Sequence, residues 1–484
     1  MHAQYEITLP PLQVFQDGTA TEESLEFVDQ TCDRLDSVAP ERRVHLLFLL
    51  GFLAHGAQVA GDTVLRERIR SGLDAYLDAF DTDRRTEAGR VTLLYLLAQF
   101  PEDRDRILRR VPQGSLPEHE WAQLERCLAE LDPADPVLGR AWPTPAGWTL
   151  SPEELAADRR WARGLDPERV AFLWAKDTRT LLAYCGARAY AALSGPLDDD
   201  TPGTVAVPAG AARPRRRDLP PLATDVGLLR CPVCAGSLRS RAPQVVCRSC
   251  AAEFDSTPGY LDLSGVRSAG MDQIAGNSPM YLNTYETLLR PAFLRVTGAN
   301  WSGGVGVEDE DRYLTEHLRP APGPVLDLAA GAGRWTETLV RALGPDRVIA
   351  MDLATPMVER LRSVLPDVAT LRGSAENIPL RDGVLSAVSC WNALQSMSDP
   401  ARAVKEAGRC LRPGGVFTLL TFVTSTDPVN RFFQSQHEQC LTVRSFPLDE
   451  LRNMLADAGL TIRDERISGT LIMLTAIRET PSIP

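Results

Sequence analysis

The feature that most constrains the fold is a buried strand that runs into a glycine turn, then a helix, then a second strand ending in an acid. Residues 325–333 read Val-Leu-Asp-Leu-Ala-Ala-Gly-Ala-Gly, and a helical pattern begins at Arg334. The second apolar strand, residues 348–352, ends in Asp352. In nucleoside-binding α/β folds, glycines let a ligand approach the backbone, and such an acid accepts hydrogen bonds from ribose hydroxyls. The order of these elements predicts a Rossmann-like α/β domain.

Later segments continue the alternation of strands and helices. Residues 373–380 form a short third segment, residues 387–392 a fourth strand, and residues 416–422 another strand that follows Leu-Arg-Pro-Gly-Gly. Together with the glycine turn, these segments closely resemble the motif series of class I S-adenosylmethionine (SAM)-dependent methyltransferases, particularly the UbiE-like (type 11) group. The resemblance covers about half of the chain, residues 225–480, and implies a seven-stranded sheet and SAM as the cofactor.

Four of the ten cysteines form two CxxC pairs separated by twelve residues: Cys231, Cys234, Cys247 and Cys250. Each pair places two thiolates on a tight knuckle, and two knuckles supply the four tetrahedral ligands of a structural zinc site. All four positions are filled, so the pattern predicts a zinc ribbon and argues against a catalytic metal. The six other cysteines are scattered in periodic segments and are expected to be buried thiols.

The order of ribbon, tyrosine-containing helix and SAM domain resembles two families. One comprises bacterial large-subunit rRNA guanine methyltransferases. The other, which is closer, comprises methyltransferase-like proteins of plastids and bacteria. The resemblance implies that SAM is held by the glycine turn and by the ends of the next strands, with a tyrosine of the preceding helix closing over it. The residues concerned are Asp327, Ala329, Gly331, Gly333, Asp352, Leu353, Ser374, Ala375, Glu376 and Tyr285.

Two positions depart from that family pattern. Ser374 stands where an acid often contacts the adenine amine, and Ser386 stands where an aspartate often precedes the fourth strand. A packing role for Tyr285 is an alternative to cofactor contact. Backbone contacts and the ribose acid remain, so SAM binding is still expected. A SAM-binding protein that no longer methylates, or a cyclase using bound SAM, is an alternative reading.

Methyl transfer is a displacement at carbon that mainly requires alignment of the acceptor with the methyl group and sulfur. Asn392 and Gln395 follow the fourth strand and are predicted to orient the acceptor. An insertion at residues 424–445 is predicted to cap the substrate, and its His437 is a candidate general base with a pKa near neutrality. The alternative is a surface histidine on a capping helix.

The rest of the chain divides by pattern into an all-helical domain over residues 1–193, a linker over 194–224 and the ribbon over 225–265, ahead of the methyltransferase domain over 266–484. Helical periodicity punctuated by proline and glycine predicts helical hairpins. The helical domain is predicted to bind a partner or to self-associate. The linker composition, with an arginine cluster at 213–217, cannot bury enough apolar surface to order itself.

The formal net charge of -12 disfavours a general phosphate-backbone binder. The leading prediction is therefore methyl transfer to a small molecule, such as a secondary metabolite. Methylation of an rRNA base is the alternative, and it requires a basic face around Arg230, Arg239, Arg241 and Arg248. The longest apolar stretch, residues 44–60, is broken by His45, Gly51 and His55 and is expected to be too short to span a bilayer. A cytoplasmic location without membrane association is the default expectation.

Overall fold

The computed structural model of the 484-residue chain describes residues 8–9, 12–13, 15–16, 19–138, 152–197, 226–241, 244–256, 259–265, 290–298, 301 and 304–479. The linker arginines at 213–217 and Tyr285 lie outside the described residues, so the roles predicted for them stay predictions.

The helices are α1 Glu22–Arg34, α2 Pro40–Ala60, α3 Thr63–Arg70, α4 Leu73–Asp83, α5 Glu87–Leu97, α6 Arg104–Arg110, α7 Glu118–Leu128, α8 Pro152–Ala162, α9 Pro167–Ala192, α10 Arg290–Thr297, α11 Val307–Leu318, α12 Arg334–Leu343, α13 Thr355–Val364, α14 Pro400–Cys410, α15 Pro428–Leu441 and α16 Leu448–Asp457. Local sequence fixes several starts. At α9, Pro167 occupies the first turn and the Asp166 side chain accepts a hydrogen bond from the amide of Arg169, which is a common N-terminal signature.

The strands are β1 Thr8–Leu9, β2 Leu12–Gln13, β3 Phe15–Gln16, β4 Thr19–Ala20, β5 Leu238–Arg241, β6 Gln244–Cys247, β7 Glu253–Asp255, β8 Leu261–Asp262, β9 Val325–Leu328, β10 Val348–Asp352, β11 Ala369–Arg372, β12 Leu385–Trp391, β13 Leu411–Phe422, β14 Leu460–Ser468 and β15 Leu471–Arg478. The main sheet has the order β14-β15-β13-β12-β9-β10-β11-β8, and β5-β6-β7 form a small antiparallel sheet in the ribbon.

Contacts divide the chain into two compact units. The helical unit comprises Met1–Thr204, Thr287–Gly304 and Ser425–Leu441. The sheet unit comprises Val205–Glu286, Val305–Thr424 and Thr442–Pro484.

In the helical unit, α2, α5 and α9 pack together around a continuous apolar core that also includes α15. The rings of Phe52 and Phe432 meet edge to face at 4.9 Å. A Cβ added at Gly186 of α9 would lie 2.3 Å from a ring carbon of Phe433. The close approach of α9 and α15 therefore requires glycine at this position.

Helix α2 has 21 residues and is apolar enough to span a membrane by length and composition, contrary to the expectation that this stretch is too short. The helix pattern extends N-terminally to Pro40, which adds the missing length. In this structure 61% of the most apolar 18-residue stretch of α2 is buried inside the protein. Leu47, Leu50 and Leu53 belong to the core.

In the sheet unit, β8 to β13 pair in parallel, and β15 adds an antiparallel hairpin with β14. Strands β9 and β12 are buried along their whole length, which is typical of a parallel sheet covered on both faces. The predicted helical region and Rossmann-like α/β fold are confirmed, and the predicted ribbon segment forms its own small sheet.

Two further expectations differ from the structure. Within the described residues the main sheet has eight strands rather than seven, because Leu261–Asp262 after the ribbon pairs with β11. The segments predicted as pre-domain helix and substrate cap group with the helical unit, as Thr287–Gly304 and Ser425–Leu441. The physical reason is their apolar residues, such as Val296 and Phe433, which are buried in the core of that unit.

Candidate functional site

The glycine turn between β9 and α12 has a backbone that L-residues rarely adopt. Ala329, Gly331 and Gly333 have φ values of 58°, 57° and 102°. Left-handed backbone costs little for glycine but about 1–2 kcal/mol for alanine, so Ala329 is held there by its surroundings. The amide of Ala330 donates to the Met351 carbonyl at 3.0 Å, which fixes the turn to the end of β10.

Asp352, the predicted ribose acid, lies beside this turn. One carboxylate oxygen accepts from the amide of Gly331 at 2.8 Å, and the other accepts from the amide of Ala354 at 2.9 Å. Its side chain is half-buried. The structure therefore brings together the predicted glycine turn and the predicted acid, and both lie at the carboxyl end of parallel strands, where α/β folds bind nucleosides.

Asp327 lies in β9, just before the turn. It is 2% exposed, and its carboxylate accepts hydrogen bonds from the hydroxyl groups of Thr336 at 2.6 Å and Ser389 at 2.9 Å. Burial raises the pKa of Asp327 to about 6, although the two hydroxyl donors oppose that rise. Asp327 is buried, unlike the half-buried Asp352, and its two hydrogen bonds join β9 to α12 and β12, which is a positioning role at the turn.

The predicted adenine segment follows β11. The Gly373 amide donates to the Asp352 carbonyl at 3.0 Å, and a Cβ at Gly373 would lie 2.9 Å from the sulfur of Met351. The Ser374 hydroxyl accepts from the amide of Glu376 at 3.2 Å and caps a short 3-10 helix, Ala375–Asn377. Ser374 thus has a local structural role at the position where the related family often has an acid.

The other predicted adenine-side residues have structural contacts of their own. The carboxylate of Glu376 accepts from the amide of Asp399 at 2.8 Å, which ties the segment to the start of α14. The Leu353 carbonyl accepts from the guanidinium of Arg372 at 3.0 Å. These bonds fix the backbone of both segments.

Asn392 and Gln395, the predicted acceptor residues, form one hydrogen-bonded chain. The Thr421 hydroxyl donates to Gln395 Oε1 at 3.1 Å, and Gln395 Nε2 donates to Asn392 Oδ1 at 2.9 Å. This order fixes the amide orientation of both side chains. Asn392 has a φ of 53°, a backbone conformation that costs energy outside glycine and clusters at functional sites.

His437 does not have the expected character. It lies in α15 of the helical unit and is 3% exposed, and burial lowers its pKa to about 3. The expectation of a pKa near neutrality is wrong, and so is the alternative of a surface histidine. The helix packs against α9 and α10, His437 is buried, and desolvation disfavours its charged imidazole.

The four ribbon cysteines come together as predicted. Their sulfur atoms all lie within 4.8 Å of one another, and the Cys231–Cys250 and Cys234–Cys247 pairs are 3.7 Å and 3.5 Å apart. Four thiolates at zinc–sulfur distances of about 2.3 Å place neighbouring sulfurs about 3.8 Å apart, so the donor set fits a tetrahedral zinc ion.

The backbone of the second knuckle favours a thiolate at Cys247. Amides of Ser249 and Cys250 donate to the Cys247 sulfur at 3.3 Å and 3.5 Å. Those amides lower the pKa of Cys247 to about 6, the larger effect coming from Cys250. Burial raises the pKa of Cys231 to about 12; a bound cation would offset that desolvation cost.

Sequence reasoning missed the hydroxyl and amide partners of the site. Thr336, Ser389 and Thr421 hold Asp327 or Gln395, and Asn377 bonds to the ribbon. Thr336 lies in the first turn of the helix after the glycine turn, a spacing that could have indicated it. The other three depend on strand order and on packing, for which no local signal exists.

Comparison with known proteins agrees with this geometry. Residues 325–415 match the family described as methyltransferase domain. The chain is 28% identical over 285 residues to an uncharacterized chloroplastic methyltransferase of Arabidopsis thaliana, covering 52% of this chain and 78% of that protein. It is 47% identical over 98 residues to an uncharacterized methyltransferase of Mycobacterium tuberculosis, covering 20% and 39% of the two chains.

A third relative is a ubiquinone/menaquinone biosynthesis C-methyltransferase of Hahella chejuensis, 32% identical over 116 residues, with 22% of this chain and 47% of that protein covered. This chain therefore spans less than half the length of the mycobacterial and Hahella relatives. The matched residues include the glycine turn, Asp352 and Asn392. Residues 325–415, which include the glycine turn and Asp352, therefore match a methyltransferase domain.

Proposed function

We propose that this chain transfers the methyl group of SAM to a small-molecule acceptor of the secondary-metabolite kind, with zinc in the ribbon as a structural ion. The observation that carries the proposal is that the predicted cofactor and acceptor residues meet at one edge of one sheet. Strands β9, β10 and β12 are parallel, so the glycine turn, Asp352 and Asn392 all follow strand carboxyl ends. Ligands of open α/β sheets bind outside that edge.

The residues at this edge are suited to alignment. SAM, when bound, supplies a methyl group on a sulfonium; the acceptor forms a bond to that carbon as the carbon–sulfur bond breaks, and the electron pair stays on sulfur. The hydrogen bonds from Thr421 to Gln395 and from Gln395 to Asn392 hold both amide side chains in fixed orientations at the edge where the acceptor would lie. An acceptor that carries a proton releases it to solvent, because His437 is buried and its lowered pKa makes it a weak base. Holding reactants in line supplies much of the rate in such reactions.

The ribbon arginines weigh against an rRNA acceptor. Arg230 is largely buried and its guanidinium donates to Glu406 at 2.8 Å, and Arg241 lies 3.7 Å from Glu253. Arg239, Arg241 and Arg248 are exposed, and Glu253 partly offsets the charge of Arg241, so the basic face required for RNA loses Arg230 and is weakened at Arg241. A small-molecule acceptor is the better match to this charge distribution. A cytoplasmic location and a partner-binding or self-association role for the helical unit belong to the same proposal.

Calorimetric titration with S-adenosylhomocysteine tests the cofactor site. The wild-type protein is expected to bind at micromolar concentration, and Asp352→Ala is expected to lose most of that affinity because the ribose hydroxyls lose their acceptor. Asp346→Ala is the matched control, since Asp346 is an exposed acid just before the amino end of β10. Equal binding by wild type and Asp352→Ala would contradict the assigned site.

Transfer of a labelled methyl group from SAM to panels of small metabolites and ribosomal RNA tests the acceptor class. Label on a small molecule supports the proposal, and label on RNA alone overturns it. Tight binding of SAM without transfer to any acceptor would instead support the non-methylating alternative.

A further inference from the structure

The ribbon is joined to the methyltransferase sheet by backbone pairing on both sides of its metal site. After the ribbon, β8 pairs in parallel with β11, and the Leu263 amide donates to the Arg372 carbonyl at 2.8 Å. The Arg372 guanidinium also donates to Asp262 at 2.7 Å. Because Arg372 directly precedes Gly373, the strand that follows the ribbon borders the chain leading into the predicted adenine segment.

The first cysteine knuckle contacts the other end of that segment. The Asn377 side-chain amide donates to the carbonyl of Pro232 at 2.8 Å, and Pro232 lies between the metal ligands Cys231 and Cys234. The amide of Arg230 donates to the Pro379 carbonyl at 3.1 Å, and Leu229 forms a β-bridge with Leu380. The residues just before and within the knuckle are thus paired with residues 377–380.

A charged cluster strengthens the same junction. Glu406 accepts from the Arg230 guanidinium at 2.8 Å and from the amide of Ile378 at 2.9 Å. The Ile378 carbonyl accepts from Arg409 at 2.9 Å and from Arg230 at 3.3 Å. The side chains of Arg230 and Glu406 are only 16% and 15% exposed, so solvent screens this pair less than it screens a surface pair. Both backbone groups of Ile378, next to the adenine segment, therefore depend on charges shared with the ribbon.

We propose that metal occupancy of the four-cysteine site sets the affinity for SAM, with Asn377 as the positioning residue that couples the two sites. This inference rests on the proposed SAM and zinc sites. Bound metal fixes the knuckle and hence the Pro232 carbonyl, so residues 374–377 are ordered before SAM arrives. Without metal, SAM binding has to order both the knuckle and the segment, and ordering reduces affinity. Coupling between sites is reciprocal, so SAM also raises the affinity for the metal by the same factor.

The test measures each ligand in the presence of the other, on the full chain. S-adenosylhomocysteine affinity is measured by calorimetry with zinc bound and after chelation, and zinc affinity is measured by competition with a chromogenic chelator, with and without S-adenosylhomocysteine. In the wild type, each ligand is expected to raise the affinity for the other by about five- to tenfold, a common size of coupling. Asn377→Ala should bind both ligands, as confirmed by the measured zinc content, but the coupling factor should fall towards one.

Arg241→Ala is the matched control, because Arg241 contacts Glu253 within the ribbon and should keep wild-type coupling. A turnover readout follows the same logic: Asn377→Ala should raise KM for SAM and leave kcat little changed. Equal S-adenosylhomocysteine affinity with and without zinc overturns the coupling, and so does an Asn377→Ala variant with full coupling. Failure of the zinc-loaded wild type to bind S-adenosylhomocysteine would be a different result, because it overturns the proposed function itself.

Discussion

Replacing Asp327 with asparagine should remove a pH dependence from the stability of the sheet unit. Asp327 is buried at the end of β9, and burial raises its pKa to about 6, from 3.8 for a free side chain. A carboxyl group whose pKa is higher in the folded state binds more protons when folded. It therefore stabilises the fold at low pH, and this contribution is lost as the pH rises through the folded pKa.

The size of the effect follows from the two pKa values. Proton linkage with values of 3.8 and about 6 gives a contribution to the free energy of unfolding of about 1.4 kcal/mol at pH 5 and about 0.1 kcal/mol at pH 7. Between pH 5 and pH 7, the free energy of unfolding of the wild type should therefore fall by on the order of 1 kcal/mol more than that of Asp327→Asn. Asparagine keeps the shape of the side chain, and the hydroxyls of Thr336 and Ser389 can rotate to accept or donate.

Urea unfolding of zinc-replete protein at several pH values between 5 and 7 measures this difference. Wild type and variant have all other titrating groups in common. The difference between their pH-dependent changes in the free energy of unfolding therefore reports on Asp327. Asp346→Asn removes an exposed acid of the same unit and should keep the wild-type difference. Parallel pH profiles for wild type and Asp327→Asn would refute the assignment of a buried, proton-binding carboxyl group at this position.

Two further predictions concern the binding edge of the sheet. Gly373→Ala should weaken S-adenosylhomocysteine binding severalfold in calorimetry, because the added Cβ would lie 2.9 Å from the Met351 sulfur and that flexible side chain must shift; unchanged affinity would exclude this segment from the cofactor site. Asn392→Ala should lower kcat for labelled methyl transfer about tenfold or more by loosening acceptor alignment, while S-adenosylhomocysteine affinity stays the same. Ser396→Ala, at an exposed position nearby, is the control for this variant. If Asn392→Ala lowers only the affinity for the cofactor, Asn392 belongs to the cofactor site and not to the acceptor site.

Several parts of the site were predictable from local sequence. The glycine turn and Asp352 are recognisable because glycine alone tolerates the backbone of such turns at low cost, and because a strand of known length carries the acid to the same sheet edge. The cysteine spacing predicts the four-sulfur cluster, since two knuckles need only a short antiparallel hairpin to meet. Asn392 and Gln395 are three residues apart, and a single turn of chain brings their amides together.

Other features were beyond the reach of a local pattern. The insertion at 424–445 looks like a substrate cap by its place in the chain, yet Phe432 and Phe433 are buried in the core of the helical unit. The spacing of apolar residues shows that a helix has a face to bury. It does not show which of two apolar cores that face will pack against. The pKa of His437 follows from the same choice, because only burial separates a near-neutral imidazole from one with a pKa of about 3.

The sequence alone determined the local elements of the candidate site: a glycine turn, an acid at the end of the next strand and four cysteines at the spacing of two knuckles. Tertiary structure decided which groups meet across the chain. Ser389 lies opposite Asp327 only because β12 inserts next to β9 in the sheet, and Asn377 reaches Pro232 across 145 residues of sequence. Such contacts depend on strand order and on how whole elements pack. A buried polar group needs a hydrogen-bond partner, and that partner can come from any part of the fold rather than from the same segment.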